Sequence, residues 1–417
     1  MTNKTANIGL FTLCGLIIGP IIGSGIVLLP SVIYERIGDW AISAWILTML
    51  LGAVFAYVFI FLSLKSPGNE GVALAVGKAL GPFWQELCSN FLTTAVCFGP
   101  VAVLLTAAKF LQNLPFLDTI PQELITFFLI LGGAALLLSG TKSFSRFNLI
   151  VTAATIISLV FASFYSIGTA SQFELPHTTF PVHDFGYALL LLFWAIVGWE
   201  VVGNYIEDIK NPRQTLLKAM TISLFFIIIS YLSVALALQS SSAGHDIIIL
   251  MQPLFGHFSA PAIGIIAAGL CISTYLMIVG AVTRMSAKRA ANGRLPAFLA
   301  KENSLLSPSH AILTLTTIHL FMLSLVFFQI LTIDRLIAAA NVFFLSNAII
   351  GLAAGFHLLE NRCLKAAIAI LILAFFLLLS NAKPWCILLF LLVFIYSKKS
   401  FNQTKSTAEN PLRENSL

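Results

Sequence analysis

The first apolar segment of the chain carries a dense group of small residues where a helix interior would be expected. It reads Gly19-Pro20-Ile21-Ile22-Gly23-Ser24-Gly25-Ile26, and Pro30 follows in the same run. Inside a helix each glycine costs roughly 1 kcal/mol against alanine, and proline about 3 kcal/mol. In hydrocarbon, irregular backbone is tolerated only where it lines a cavity or is buried in protein. The pattern predicts a helix broken at Gly23-Ser24-Gly25, whose freed N–H and C=O groups can bind a carboxylate and an ammonium. The alternative is close packing of helices through small residues.

A second chemically distinctive position is Glu200, about fifteen residues into the sixth apolar segment. A charged side chain at that depth costs a few kcal/mol, and such residues commonly mark ion paths or proton relays. Burial favours the neutral acid, so Glu200 is predicted to take up a proton. The alternative is a neutral carboxyl that hydrogen-bonds a neighbouring helix for packing. Trp194, one to two turns earlier, could cap a substrate, although an aromatic in a helix more often packs in the core or faces lipid.

The residues that flank these positions predict a membrane protein. The chain has 417 residues, of which 59% are hydrophobic and 10% charged, whereas soluble domains carry about 25% charged residues. A bilayer requires about 20 consecutive apolar residues per helix, and roughly a dozen such runs are present. The predicted spans are about 8–34, 40–64, 84–113, 122–140, 148–170, 185–206, 215–238, 261–286, 311–330, 333–359, 364–381 and 384–397. The last two are separated by Asn381-Ala382-Lys383-Pro384 and could instead form one re-entrant hairpin.

The distribution of basic residues predicts the orientation of these spans. Of the 23 Lys and Arg residues, all but Arg36, Lys109, Arg335 and Lys383 fall on the side that holds both termini. Because cytoplasmic loops carry the excess of Lys and Arg, both termini are predicted to be cytoplasmic. The formal net charge of +6 therefore reflects topology, and no nucleic-acid partner is expected. The six cysteines show no paired or metal-ligand spacing and are interpreted as small apolar residues.

The predicted domain organisation is one polytopic transport domain over residues 1–400. The first and sixth apolar segments both carry glycines that weaken a helix, and they are five spans apart. A five-plus-five inverted repeat produces this separation and places the site at the repeat interface. Repeat one would cover about 8–170 and repeat two about 185–359, followed by extra helices at about 364–397. Residues 401–417 form a polar, aperiodic cytoplasmic tail that is predicted to be disordered.

Three blocks of the chain resemble the amino acid–polyamine–organocation superfamily of transporters. The Gly19–Ile26 run followed by Pro30 resembles the first-helix signature of that superfamily. The run from Phe193 to Glu200, then Glu207 and Lys210-Asn211-Pro212, resembles its sixth-helix block, and Asn292-Gly293-Arg294-Leu295-Pro296 resembles the loop after its eighth helix. The length and the sixth-helix block are similar to those of bacterial exporters of methionine and branched-chain amino acids.

This resemblance implies an all-α membrane fold of about twelve helices, with helices 1 and 6 broken and two extra C-terminal helices. It implies that the backbone N–H groups of Ser24, Gly25 and Ile26, beside Gly23, hold the substrate carboxylate. The carbonyls around Ile21 and Ile22, and those near Trp194, Ala195 and Val197, would hold the amino group. Trp194 would close over the substrate, and Glu200 would be the proton-responsive acid.

The resulting hypothesis is alternating-access transport of a small neutral amino acid, by export or exchange coupled to protons, across a bacterial inner membrane. The expected partners are the amino acid, protons and the lipid bilayer, with no cofactor and no metal. An antiporter for cationic amino acids or diamines is the second possibility, although extra acidic residues should then line the cavity. An amino-acid sensor without flux is a third. An enzyme is disfavoured, since no nucleophile–base pair and no H-E-x-x-H motif occur.

Overall fold

The computed structural model describes residues 9–66, 72–139, 144–170, 176–199, 209, 211–241, 244–305 and 307–409. These residues form α-helices and short 3-10 turns, and no β-strand occurs among them. The helices are α1 Leu10–Ile22, α2 Gly25–Ile37, α3 Ala41–Lys65, α4 Val72–Leu80, α5 Pro82–Leu111, α6 Gln122–Leu138, α7 Phe144–Thr169, α8 Val182–Leu192, α9 Pro212–Gln239, α10 Ile247–Phe255, α11 Ser259–Ala291, α12 Ser309–Phe327, α13 Ile333–Leu358, α14 Arg362–Leu379 and α15 Pro384–Glu409.

Long apolar helices dominate the described part of the chain, as the composition predicts. Eight helical segments within it are long and apolar enough to cross a membrane, and three shorter apolar helices accompany them. Many large apolar side chains remain exposed, among them Ile370 and Leu373 on α14 and Leu388 and Leu392 on α15. Such an exposed apolar surface is stable against lipid rather than water. The chain is therefore a multi-pass membrane protein.

Local chemistry sets where several helices begin and end. α10 begins where the Asp246 side chain accepts a hydrogen bond from the Ile248 N–H at 2.9 Å. α14 begins where the Asn361 side chain accepts one from the Cys363 N–H at 2.9 Å. These side chains satisfy N–H groups that have no acceptor within the first helical turn. α5 begins with Pro82, whose missing N–H is harmless at that position.

The first apolar segment is interrupted as predicted. α1 ends at Ile22 and α2 begins at Gly25, with Gly23 at a φ of 34°, a value that favours glycine. The sixth segment also leaves α-helical geometry, since α8 ends at Leu192 and a 3-10 turn covers Phe193–Ala195.

Two predicted features differ from the structure. The tail after Lys399 is predicted to be disordered, but α15 continues through this polar stretch as far as Glu409. Residues 410–417 lie outside the described part. The short helices α4 and α10 were not anticipated, since each has nine residues and is too short to register as a membrane span.

The helices pack around α5, which contacts α4, α6, α11, α12, α13 and α15. The broken helix α1 packs against α7, α9 and α11, and α8 packs against α2, α3, α13 and α14. At the far end of α2, the Asp39 carboxylate accepts hydrogen bonds from the Thr178 N–H at 2.9 Å and the Thr178 hydroxyl at 2.5 Å. This contact ties the α2–α3 junction to the segment that precedes α8.

Candidate functional site

The interruption of the first helix lies in the protein interior, where its free backbone groups require partners. Ile21 and Ile22 are at most 1% exposed and Ser24 is 2% exposed. The last carbonyls of α1 and the first N–H groups of α2 have no partner within their own helices. Two sets of opposite partial charge therefore face each other within a few residues. This is the chemistry that an amino acid zwitterion requires.

Tyr231, on α9, satisfies the carbonyl side of this break. Its hydroxyl lies 2.9 Å from the carbonyl oxygen of Ile21 and 3.1 Å from that of Ile22. The single hydroxyl hydrogen is shared between two acceptors. The Tyr231 ring is fully buried and stacks on Trp45, with ring centroids 4.8 Å apart. The tyrosine therefore occupies the two carbonyls that were expected to receive the substrate amino group.

Trp194, in the 3-10 turn after α8, closes over the other side of the break. Its indole Nε1–H donates to the Ser24 hydroxyl at 3.2 Å. A methyl group added to Gly25 would lie 3.5 Å from Cδ1 of the indole, and one added to Gly99 of α5 would lie 2.9 Å from Cη2. The absence of a side chain at Gly99 thus makes room for the indole, whereas Gly25 lies at ordinary contact distance from it. Phe344 of α13 lies edge-on to it, with centroids 6.3 Å apart.

The break after α8 has its own partner in Asn341 of α13. The Asn341 Nδ2 group donates to the carbonyls of Leu190 at 2.8 Å and Leu191 at 3.3 Å. Both carbonyls belong to the last turn of α8, where intrahelical acceptance ends. Within the described part of the chain, the buried Oδ1 of Asn341 has no hydrogen-bond partner. Each broken segment is therefore stabilised by a polar side chain from a neighbouring unbroken helix, and at the first break Thr274 of α11 adds a hydrogen bond to the Gly19 carbonyl at 3.4 Å.

The predicted site residues of the two segments meet in space. Gly198 follows the 3-10 turn, and a methyl group there would come within 3.0 Å of the Ile21 side chain. Ile26, Ala195 and Val197 are all buried. Glu200, Glu207 and Lys210 lie outside the described residues. The structure thus brings Ser24 and Gly25 next to Trp194 and Ile21 next to Gly198, while the proposed role of Glu200 stays a prediction.

The described residues that surround the break carry no charged side chain. Among the described residues, the buried acidic and basic side chains are Asp39, Glu86 and Arg289. Asp39 bonds to Thr178, and Glu86 pairs with Arg289, so these charges are engaged away from the break. No group of His, Cys, Asp and Glu side chains suited to a metal ion is found in the described part of the chain. In the described part of the site, backbone dipoles and hydroxyl groups therefore supply the polarity.

A cavity of about 450 Å³ lies elsewhere, between the ends of α7 and α9 and helix α10. Tyr165, Thr169, Ser240 and Gln252 are among its lining residues. It includes none of the predicted binding residues. Trp194 and Tyr231 instead contact the break directly, through the Ser24 hydroxyl and the Ile21 and Ile22 carbonyls.

Three residues of this arrangement, Tyr231, Asn341 and Gly99, were not predicted from the sequence. Asn341 carried a usable signal, because an amide in an otherwise apolar span requires a polar partner in the membrane. Tyr231 and Gly99 carried none, since a tyrosine or a glycine inside a span is common. Only the packing of α5 and α9 against the breaks identifies them.

Comparison with known proteins agrees with this architecture. The sequence model of the family described as amino acid permease matches residues 8–408. The chain therefore belongs to the amino acid permease family, whose members are transporters rather than enzymes.

Several characterised transporters are similar to the chain. The cadaverine/lysine antiporter of Escherichia coli (strain K12) is 26% identical over 313 residues, covering 70% of this chain and 69% of the antiporter. The L-methionine/branched-chain amino acid exporter YjeH of the same organism is 23% identical over 379 residues, covering 87% and 88%. The serine/threonine exchanger SteT of Bacillus subtilis (strain 168) is 24% identical over 307 residues, covering 69% of each chain.

Proposed function

We propose that this permease moves a small neutral amino acid, of the methionine or branched-chain type, by alternating access. The movement is export or exchange coupled to protons, across a bacterial inner membrane with both termini in the cytoplasm. The uncharged character of the described residues around the break supports this proposal. Ser24, Tyr231 and Thr274 are polar side chains that meet the break between α1 and α2, and Trp194 and Phe344 give it an apolar wall.

The substrate would bind through its zwitterionic part and be selected through its side chain. The N–H groups at the start of α2 would hold the carboxylate, and the Ile21 and Ile22 carbonyls would hold the ammonium. The variable side chain would then lie toward Trp194 and Phe344. A second positive charge in that apolar region would need a buried carboxylate to offset its desolvation. Among the described residues, the buried carboxylates of Asp39 and Glu86 lie away from the break and do not meet that need.

We further propose twelve membrane crossings arranged as a five-plus-five inverted repeat with two extra helices. The segment Leu10–Lys65 has 56 residues and would measure roughly 84 Å as a straight helix, which is too long for one crossing. Two crossings there, one in each of the other seven long segments, and the three shorter apolar helices supply twelve. Broken first and sixth segments are consistent with a repeat of five.

Transport of a cationic amino acid or diamine is the second candidate. The similarity to a cadaverine/lysine antiporter supports it. This candidate requires acidic groups at the site, and Glu200 is the carboxylate that the sequence places near Trp194. A single buried carboxylate could serve either a proton or a cationic substrate, so direct measurement must separate the two.

Purified protein reconstituted into liposomes tests these candidates. Liposomes loaded with unlabelled substrate would be assayed for uptake of labelled methionine, leucine, arginine and cadaverine. We expect saturable exchange of methionine or leucine, with little for the two cations. Saturable exchange of arginine or cadaverine alone would replace the leading candidate by the second. Tight binding of an amino acid without flux would indicate a sensor, and neither binding nor flux would refute both transport candidates.

A further inference from the structure

His319, on α12, is a buried polar side chain that the proposed transport cycle does not use. It is fully buried among α5, α11 and α12. Its Nε2 lies 2.9 Å from the carbonyl oxygen of Val96, and its Nδ1 lies 3.1 Å from the Tyr275 hydroxyl. An unpaired imidazole would be costly at this depth. Here both ring nitrogens have partners.

The carbonyl that His319 contacts is the one that Pro100 leaves without a donor. In an α-helix the carbonyl of residue 96 accepts the N–H of residue 100. Proline has no N–H, and its ring also pushes that carbonyl outward. Pro100 lies inside α5, so the Val96 carbonyl is buried and lacks its helical partner. The His319 Nε2–H replaces the missing backbone donor.

The hydrogen-bond partners also assign the tautomer and the charge of the His319 imidazole. Because the Val96 carbonyl can only accept, Nε2 carries the hydrogen and donates it. Nδ1 then accepts from the Tyr275 hydroxyl, which completes both bonds with a neutral ring. The Tyr275 ring is held in turn by α6, where a methyl group on Gly133 would come within 2.6 Å of its Cε1 atom. The imidazole is thus fixed on two sides.

The Val96–Pro100 turn of α5, which His319 contacts, also packs against Trp194. Gly99 precedes Pro100, and a methyl group on Gly99 would lie 2.9 Å from Cη2 and 3.2 Å from Cζ3 of the Trp194 indole. The backbone at Gly99 therefore forms part of the surface that the indole packs against. A shift of the Val96–Pro100 turn would move that surface.

We infer that His319 is a positioning residue, which replaces the N–H that Pro100 lacks and so fixes the Gly99 surface that seats Trp194. This inference rests on the proposed function only where Trp194 is taken to close over an amino acid. The contact chain from His319 through Val96 to Gly99 and Trp194 can be tested without any substrate.

The first measurement is thermal stability of the purified protein in detergent. His319→Leu should lower the melting temperature by several degrees, because it leaves a buried carbonyl unsatisfied. His319→Gln keeps a side-chain N–H and should recover most of the loss. Pro100→Ala restores the backbone donor, so His319→Leu should lower the melting temperature much less in that background. An equal loss in both backgrounds would overturn the hydrogen-bond basis of the inference.

The second measurement reads the surroundings of Trp194. His319→Leu should change the tryptophan emission and its quenching by acrylamide, and the change should vanish in a Trp194→Phe background. His310→Leu, on the same helix, is the matched control and should leave emission unchanged. Emission that is unaltered by His319→Leu, or altered equally without Trp194, would show that His319 does not act on the indole.

The third measurement is the KM for amino-acid transport, which relates the stability and emission changes to substrate binding. We expect His319→Leu to raise KM roughly tenfold, with a smaller effect on the maximum rate, since one unmet buried hydrogen bond shifts an equilibrium by about that factor. An unchanged KM beside a changed emission would refute the role of Trp194 as a substrate lid. Absence of flux in the wild-type protein would refute the proposed function, while the stability and emission results would still decide the inference.

Discussion

The hydroxyl of Tyr231 lies 2.9 Å from the carbonyl oxygen of Ile21, in the place expected for a substrate ammonium. The Tyr231 hydroxyl and a substrate ammonium would both donate hydrogen bonds to the Ile21 and Ile22 carbonyls, so the two donors would compete for these acceptors. The tyrosine thereby stabilises the break when no substrate is bound. Substrate entry would replace the hydroxyl donor by the ammonium, so the two buried backbone carbonyls would keep a hydrogen-bond donor.

This competition predicts an unusual effect of Tyr231→Phe. The variant should lose about 1 kcal/mol of stability, because two buried carbonyls lose their donor. It should also show a KM lower than the wild-type value by several-fold, because the ammonium no longer displaces a hydroxyl. Melting temperature and liposome exchange measure the two effects. Tyr57→Phe, at a partly exposed position on α3, is the control, and a raised KM in Tyr231→Phe would contradict the competition.

A second prediction concerns Gly25, which leaves room for the same hydroxyl. A methyl group at this position would lie 2.6 Å from the Tyr231 oxygen, but 3.6 Å from Cζ of the ring and 3.5 Å from Cδ1 of Trp194. Gly25→Ala should therefore reduce transport by at least about tenfold. Because only the hydroxyl oxygen is too close, adding Tyr231→Phe should restore much of the activity.

The control for Gly25→Ala is Gly132→Ala on α6, where a methyl group meets no atom within 4 Å. That variant should transport at the wild-type rate. Failure of Tyr231→Phe to improve Gly25→Ala would mean that the glycine serves substrate contact rather than clearance of the hydroxyl.

A third prediction concerns the hydrogen bond between Trp194 and Ser24. Trp194→Phe should raise KM roughly tenfold through loss of indole area and of this bond, while Ser24→Ala alone should cost about 1 kcal/mol of binding. In the double variant the two effects should fall short of additivity, because the residues share one interaction. Trp84→Phe, at a partly exposed position, should leave KM unchanged. Strict additivity would show that Trp194 and Ser24 act separately.

The sequence predicts the membrane class and the break in the first helix well, because both follow from local composition. Glycines and proline in an apolar run disfavour a continuous helix whatever surrounds them. The side chains that complete the break could not be found this way. Tyr231 lies more than two hundred positions from Ile21, and its role depends on how α9 packs against α1.

The C-terminal boundary shows a second limit of sequence reasoning. Polar composition predicted disorder after Lys399, but a helix already established by apolar residues can continue into polar ones by adding one hydrogen bond per residue. The structure accordingly continues α15 to Glu409. Composition identified the membrane-facing part of that helix and misjudged its end.

A fourth prediction concerns Glu200, for which the sequence alone assigns a proton-linked role. Glu200→Gln should preserve exchange of a neutral amino acid while flattening its dependence on pH, because the amide mimics the protonated carboxyl and cannot release a proton. Exchange rates between about pH 5 and 8 would be compared with those of Glu302→Gln, a control in the loop before α12. An unchanged pH profile would remove the assigned role.

A fifth prediction concerns the buried pair of Glu86 on α5 and Arg289 on α11. The Arg289 Nη2 group bonds to Glu86 and lies 2.6 Å from the Asn90 Oδ1, and Asn90 donates in turn to Ser397 of α15 at 2.9 Å. Removing one partner of a buried ion pair typically costs about 3–5 kcal/mol, because the other charge is left unpaired. Arg294 Nη1 lies 3.8 Å from Glu86 Oε2, so Glu86 keeps a partly exposed cation in Arg289→Gln. Arg289→Gln should therefore lower the melting temperature, by less than a fully unpaired buried charge would.

Replacement of both charges distinguishes this electrostatic cause from simple loss of packing. Glu86→Gln with Arg289→Gln should recover most of the stability, since no uncompensated charge remains. The exposed pair Lys65–Glu360, with nitrogen and oxygen 3.6 Å apart, is the matched control. Lys65→Gln should change stability by less than about 1 kcal/mol. A double Glu86 and Arg289 variant no more stable than Arg289→Gln would show that the guanidinium stabilises the α5–α11 contact by its shape rather than by its charge.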